Sequence, residues 1–163
     1  MFSKNLWTRA SFLLLTMTAL PAAAQQMNLD GYKVIGMTLE NGKTLNQGEM
    51  IRSGANKSVA ALQKDGNFCV YRLDPSDGKK GNFVKCTMTV GAPEKQAAKL
   101  VMQTDGNLVA YNAKGQPVWA TDTYRGGDDK LGGRLALYDD ATLVLLNKSS
   151  DKPIWKFEGG RHY

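Results

Sequence analysis

Histidine occurs once in this chain, at His162 near the C-terminal end, and cysteine only twice, at Cys69 and Cys86. Three such residues cannot supply a four-ligand zinc site at sensible spacing, so no metal is expected, and nothing implies a cofactor. Long apolar runs are missing too. The stretch Phe12 to Leu20 is far below the roughly 20 residues of a spanning helix, so membrane insertion is not expected. No arginine-rich stripe interleaved with aromatics is present, which makes nucleic acid a poor partner. Beyond the first segment there is no sustained 3.6-residue apolar periodicity, and that turns attention from helices to strands.

Lys4 and Arg9 precede the apolar stretch, and Pro21-Ala22-Ala23-Ala24 follows it before Gln25. This order predicts a cleavable export signal over 1–24, cut after Ala24, and a secreted or periplasmic protein. Losing Lys4 and Arg9 takes 21 basic residues to 19 against 15 acidic, so the formal charge falls from +6 to +4. The remaining chain of about 139 residues suits one domain able to bury a core. In an oxidising compartment two cysteines pair by default, and two buried free thiols are the alternative.

Short apolar runs bounded by Gly, Asn and Asp recur: Leu100 to Met102, Leu108 to Tyr111, Pro117 to Ala120, Leu135 to Tyr138 and Thr142 to Leu146. They predict an all-β domain of hairpins. They also repeat as a unit. Leu100 through Asn112 aligns without gaps on Leu135 through Asn147, and an earlier copy runs from Ala60 to Arg72. Each copy is followed by a second strand, Phe83 to Thr87, Pro117 to Thr121 and Pro153 to Phe157. Trp119 and Trp155 sit at matching positions of two of these, as expected for a core shared by a pseudo-threefold array.

The polar spelling within the repeats carries the functional information. Gln63-Lys64-Asp65-Gly66-Asn67 and Gln103-Thr104-Asp105-Gly106-Asn107 each run into a strand containing Tyr71 or Tyr111. As one straight strand, Gln103 and Tyr111 would lie about 27 Å apart. The chain must therefore turn, and Asp-Gly-Asn marks Thr104 to Asn107 as a hairpin tip. Folded there, Gln103, Asp105 and Asn107 come together, and Val109 and Tyr111 share one strand face. A carboxylate, two amides, a phenol and an apolar contact suit the vicinal hydroxyls of a sugar ring. They do not suit glycoside hydrolysis, which needs a second carboxylate, so an enzyme is not expected.

The segment Gln103, Asp105, Asn107, Val109, Tyr111 resembles the Q-x-D-x-N-x-V-x-Y site of the bulb-type (monocot, mannose-binding) lectins at all five positions. With the three repeats and Trp119-Ala120-Thr121-Asp122-Thr123, the likeness covers 37–159, leaving an N-terminal segment 25–36 and a tail 160–163. The resemblance implies a β-prism II of three antiparallel sheets, no metal, and α-mannose or mannose-containing glycans as partners. It further implies that Asp105 and Asn107 bind the 2-hydroxyl, Gln103 the 3-hydroxyl and Tyr111 the 4-hydroxyl, with Val109 against the ring carbons. A homodimer formed by exchanging terminal strands, common in the family, would multiply weak sites.

The other repeats depart from this pattern. Gln63, Asp65, Asn67 and Tyr71 match, but Cys69 replaces the valine. If Tyr71 sits opposite Val84, the same register sets Cys69 opposite Cys86 and predicts a disulfide across the hairpin, and with it a weaker, secondary carbohydrate site. The third repeat has Tyr138, Asp140, Thr142, Val144 and Leu146 at the five positions and is expected to be structural. Lys85 stands where the other repeats have Trp119 and Trp155, so packing beneath the first sheet must differ. Asn56-Lys57-Ser58 and Asn147-Lys148-Ser149 fit the glycosylation acceptor pattern. The rival to a lectin is a secreted interaction protein, an inhibitor or bacteriocin-like toxin, that keeps the scaffold with sugar binding lost or accessory.

Overall fold

The computed structural model describes residues 26–126 and 131–158. The predicted export signal and the tail with His162 lie outside the described residues. Apart from two 3-10 turns, Pro93–Lys95 and Thr123–Gly126, the regular structure among these residues is strand.

The strands form three sheets. The first runs in the order β1 (Gln26–Asn28), β8 (Lys80–Cys86), β7 (Phe68–Leu73), β6 (Ser58–Leu62), β5 (Glu49–Arg52) and β2 (Lys33–Gly36). The second is β11 (Pro117–Ala120), β10 (Leu108–Tyr111), β9 (Lys99–Met102) and β4 (Thr44–Asn46). The third is β14 (Pro153–Lys156), β13 (Leu143–Asn147), β12 (Gly132–Leu137) and β3 (Thr38–Glu40). Pairing is antiparallel throughout except between β2 and β5. One repeat builds each sheet, giving the threefold prism expected. The stretch 38–52 joins them, because β3, β4 and β5 each add a strand to a different sheet.

Strand alternation sorts the side chains. Leu39, Leu45 and Ile51, one from each joining strand, are at most 1 % exposed and lie in the axial core with Leu62, Phe68, Leu100, Met102, Leu108, Leu135 and Leu145. Each fully buried side chain of this kind stabilises the fold by about 2 kcal/mol relative to exposure. Lys85 pairs with Val70 as Trp119 does with Ala110 and Trp155 with Leu145. Its ammonium leaves the apolar axis and donates to the Phe157 carbonyl at 2.7 Å. The Phe157 ring supplies the third aromatic instead, at 6.0 Å from Phe68, 6.2 Å from Trp119 and 5.7 Å from Trp155. Packing beneath the first sheet thus does differ, and a residue just past the last strand makes the difference.

The first sheet is also buried on its outer face. Residues 26–36, ahead of the repeats, contribute β1 and β2 to its edges and lay Leu29, Met27 and Tyr32 over Met50, Val59, Ala61, Cys69 and Tyr71. All five residues of β6 are buried. Among the described residues the second sheet gains no strand beyond β4 and its own repeat.

Candidate functional site

The hairpin tip expected at Thr104 to Asn107 is present. The Gln103 amide donates to the Asn107 carbonyl at 2.8 Å, and the Gly106 amide to the Gln103 carbonyl at 3.0 Å. Gly106 is required here twice over. Its φ is +89°, and a Cβ would lie 2.5 Å from the Gly132 nitrogen of the third repeat, closer than side chains tolerate in a left-handed turn. Gly66 repeats both features, with φ +84° and a Cβ position 2.7 Å from the Ala97 nitrogen.

The scaffold holds one half of each polar side chain and leaves the other half facing outward. Asp105 Oδ1 accepts from the Asn107 amide at 3.0 Å, fixing the tip. Asn107 Oδ1 accepts from Thr121 Oγ1 at 3.0 Å, so the nearly buried Asn107 presents its Nδ2. Gln103 Nε2 donates to the Tyr111 hydroxyl at 2.6 Å, which leaves Gln103 Oε1 as an acceptor and the Tyr111 O–H as a donor. Thr121 and Thr123 stand behind this arrangement. Thr121 Oγ1 accepts from the Leu108 amide and lies 2.9 Å from Thr123 Oγ1, which donates to the Gly106 carbonyl at 2.7 Å. These supporting hydroxyls escaped the sequence reading, although Thr87-Met88-Thr89 and Thr121-Asp122-Thr123 repeat the same spacing.

Val109 lies opposite Ala120 and outside the axial core. Between Ala110 and Tyr111 the register shifts, pairing Tyr111 with Pro117. Such irregularities re-aim a side chain, and here the tyrosine turns toward Gln103. The same shift occurs at Val70/Tyr71 and Leu145/Leu146. It corrects the predicted register: Tyr71 lies opposite Phe83, not Val84. Cys69 nevertheless pairs with Cys86, and the two form the disulfide.

No family model matches the chain. The B-type lectin plumieribetin of Scorpaena plumieri is 32 % identical to it over 117 residues, 72 % of this chain and 90 % of that protein. The chain belongs to the B-type, or bulb-type, lectin family. Solved structures agree with this lectin's fold. A lectin of Marasmius oreades superposes with a TM-score of 0.62 at 28 % identity, covering 78 % of this chain and 95 % of its own. The mannose-specific agglutinin of snowdrop (Galanthus nivalis) bulbs, solved with methyl α-D-mannoside, gives 0.51 at 33 % identity, covering 66 % and 86 %.

In the first repeat of the lectin, Gln63, Asp65, Asn67 and Tyr71 adopt the same arrangement. Gln63 Nε2 donates to the Tyr71 hydroxyl, Asp65 accepts from the Asn67 amide, and Thr87 and Thr89 stand where Thr121 and Thr123 do. The surroundings differ. Met27 Sδ lies 2.9 Å from Gln63 Nε2, and Tyr71 is 4 % exposed. Burial raises the Tyr71 hydroxyl to a pKa of about 12 and raises that of Tyr32, whose oxygen lies against the Lys64 backbone near Asp65.

The third repeat keeps the turn but not the site. Asp140 Oδ1 accepts from the Thr142 amide, which lowers the carboxyl's pKa. Leu146, in place of the tyrosine, packs with Ala136 and Val144 in an apolar patch, and Ala141 takes the left-handed tip position at φ +67°. Of the two glycosylation patterns, Asn147 is 2 % exposed and accepts from the Ser149 and Ser150 amides, so it is committed to its turn. Asn56 lies exposed at φ +58°. Among the described residues no cluster of His, Cys, Asp or Glu is placed to hold a metal.

Proposed function

We propose that this lectin binds α-mannose or mannose-containing glycans, chiefly through Gln103, Asp105, Asn107, Val109 and Tyr111. One observation carries the reading: each polar member of the set is oriented by one hydrogen bond and keeps a second polar atom outward. A sugar then meets donors and acceptors already in place, so little ordering entropy opposes binding. The Asp105 carboxylate and Asn107 Nδ2 take the 2-hydroxyl, Gln103 Oε1 the 3-hydroxyl and the Tyr111 hydroxyl the 4-hydroxyl, while Val109 and Ala120 floor the ring. The mannoside bound to the snowdrop agglutinin supports this choice of sugar.

The first-repeat set, Gln63, Asp65, Asn67 and Tyr71, is a secondary site and weaker for mannose, since Met27 crowds Gln63. Export by the 1–24 signal puts the protein in a secreted or periplasmic setting, in keeping with its disulfide. Calorimetric titration with methyl α-mannoside tests the main claim. Binding that Asp105→Ala with Asn107→Ala reduces to the weak response of the first-repeat site is the expected result, and a folded wild type without response refutes it. N-terminal sequencing of the exported protein should begin at Gln25.

A further inference from the structure

The first-repeat site opens into a cavity of about 550 Å³ whose lining includes Met27, Gln63, Asp65, Phe83, Met88 and Val90. That size falls within the range of small-molecule pockets. Its floor is the polar set already described, but its wall is apolar: Met27, Phe83, Met88 and Val90. The threonines Thr87 and Thr89 superpose in role on Thr121 and Thr123, which makes Asp122 the counterpart of Met88 and Tyr124 that of Val90. Pro117 holds the place of Phe83, each lying opposite the site tyrosine.

Met88 is the telling residue. Its φ is +61°, matching +57° at Asp122. Aspartate tolerates this left-handed conformation far better than a long apolar side chain does. Met88 is also 47 % exposed, so burial in the core does not account for it. A strained backbone position that holds an exposed apolar side chain at a pocket rim points to a ligand contact.

We propose that the first-repeat pocket binds glycosides with an apolar aglycone, the sugar hydroxyls meeting Asp65, Asn67 and Gln63 and the aglycone lying against Met88, Phe83, Val90 and Met27. This rests on the lectin reading above and assigns the first site a ligand class distinct from that of the second. It also gives a use to the cover contributed by β1, whose Met27 crowds a bare hexose and extends the apolar wall for a larger ligand.

The test uses the Asp105→Ala, Asn107→Ala protein, in which the second site is disabled, and compares methyl, phenyl and octyl α-mannosides by calorimetry, the last below its micelle concentration. Phenyl or octyl mannoside should bind at least about tenfold tighter than the methyl glycoside, as expected from burying one ring face or a few methylenes. Preference for octyl identifies a lipid-like aglycone, and preference for phenyl an aromatic one. Adding Met88→Asp, the residue its counterpart carries, should bring the ratio to about one, with an unchanged near-UV circular dichroism spectrum as the folding check. A ratio near one before that change, or a preference that survives it, overturns the proposal. Wild type that binds methyl mannoside through Asp105 while the disabled protein shows no preference loses only this inference. Silence of both proteins toward every mannoside overturns the lectin reading as well.

Discussion

Tyr111 lies half-buried with the Lys99 ammonium 5.8 Å from its ring centre, whereas Tyr71 at the same place in the first repeat is 4 % exposed, opposite Val59 and edge-on to Phe83 at 6.2 Å. Both tyrosines accept from a glutamine, and both turns rest on a pair of threonines. The motif therefore determines the local geometry, and what lies over the sheet determines whether that geometry meets water. Met27, ahead of the repeats, completes a wall that Phe83, Met88 and Val90 supply from the first repeat itself.

The largest effect tests what the two regions share. Gly106→Ala should cost about 4 kcal/mol by combining left-handed strain with a backbone clash, and Gly66→Ala should match it in urea denaturation. A tolerant Gly66 would mean that the first tip is less tightly set than its twin. Ala141→Gly, at the third tip, should change stability by under about 1 kcal/mol.

Next comes function. Asp105→Ala with Asn107→Ala should weaken methyl α-mannoside binding by at least about 100-fold, because the partners they leave cannot recover the lost hydrogen bonds. The equivalent Asp65→Ala, Asn67→Ala protein should lose less than about twofold in the same titration. Equal losses would erase the distinction between the sites.

Removing the disulfide acts on one region alone. Cys69→Ala with Cys86→Ala should lower stability by about 2 kcal/mol, since the bridge closes a loop of 17 positions. Mannoside affinity at the second site should be unchanged in the same preparation.

A pH dependence, felt only in alkali, comes last. The Tyr71 hydroxyl has its folded pKa raised from 10.0 to about 12 by burial, so the folded state holds its proton after the unfolded chain has released it. Stability from this group is complete below pH 10 and falls by about 1 kcal/mol per pH unit up to about pH 12. Tyr71→Phe should flatten that decline in denaturation curves recorded across the same range.

The gathering of Gln103, Asp105, Asn107 and Tyr111 was legible because side chain types at fixed offsets leave few alternatives once the turn at Asp105-Gly106 is placed. The disulfide was legible too, since one register defines every pair before the irregularity at Tyr71. Three features were not. The register shift leaves no trace in residue type. Strand β1 is only three residues long, too short for alternation to show, and its pairing depends on the β8 edge from Lys80 to Asn82, built much later in the chain. Phe157 follows the last strand, where nothing local distinguishes a core aromatic from one in a fraying end.

The position of Phe157 bears on how the molecule is made. Three earlier aromatics, Phe68, Trp119 and Trp155, have their common neighbour only once Phe157 has joined them, and Leu39, Leu45 and Ile51 wait for sheets completed far downstream. Contacts this distant in sequence are slow to form. A chain that lacks the third repeat thus has no closed axis to fall into, and the axial core should form in one step, only after that repeat has been made.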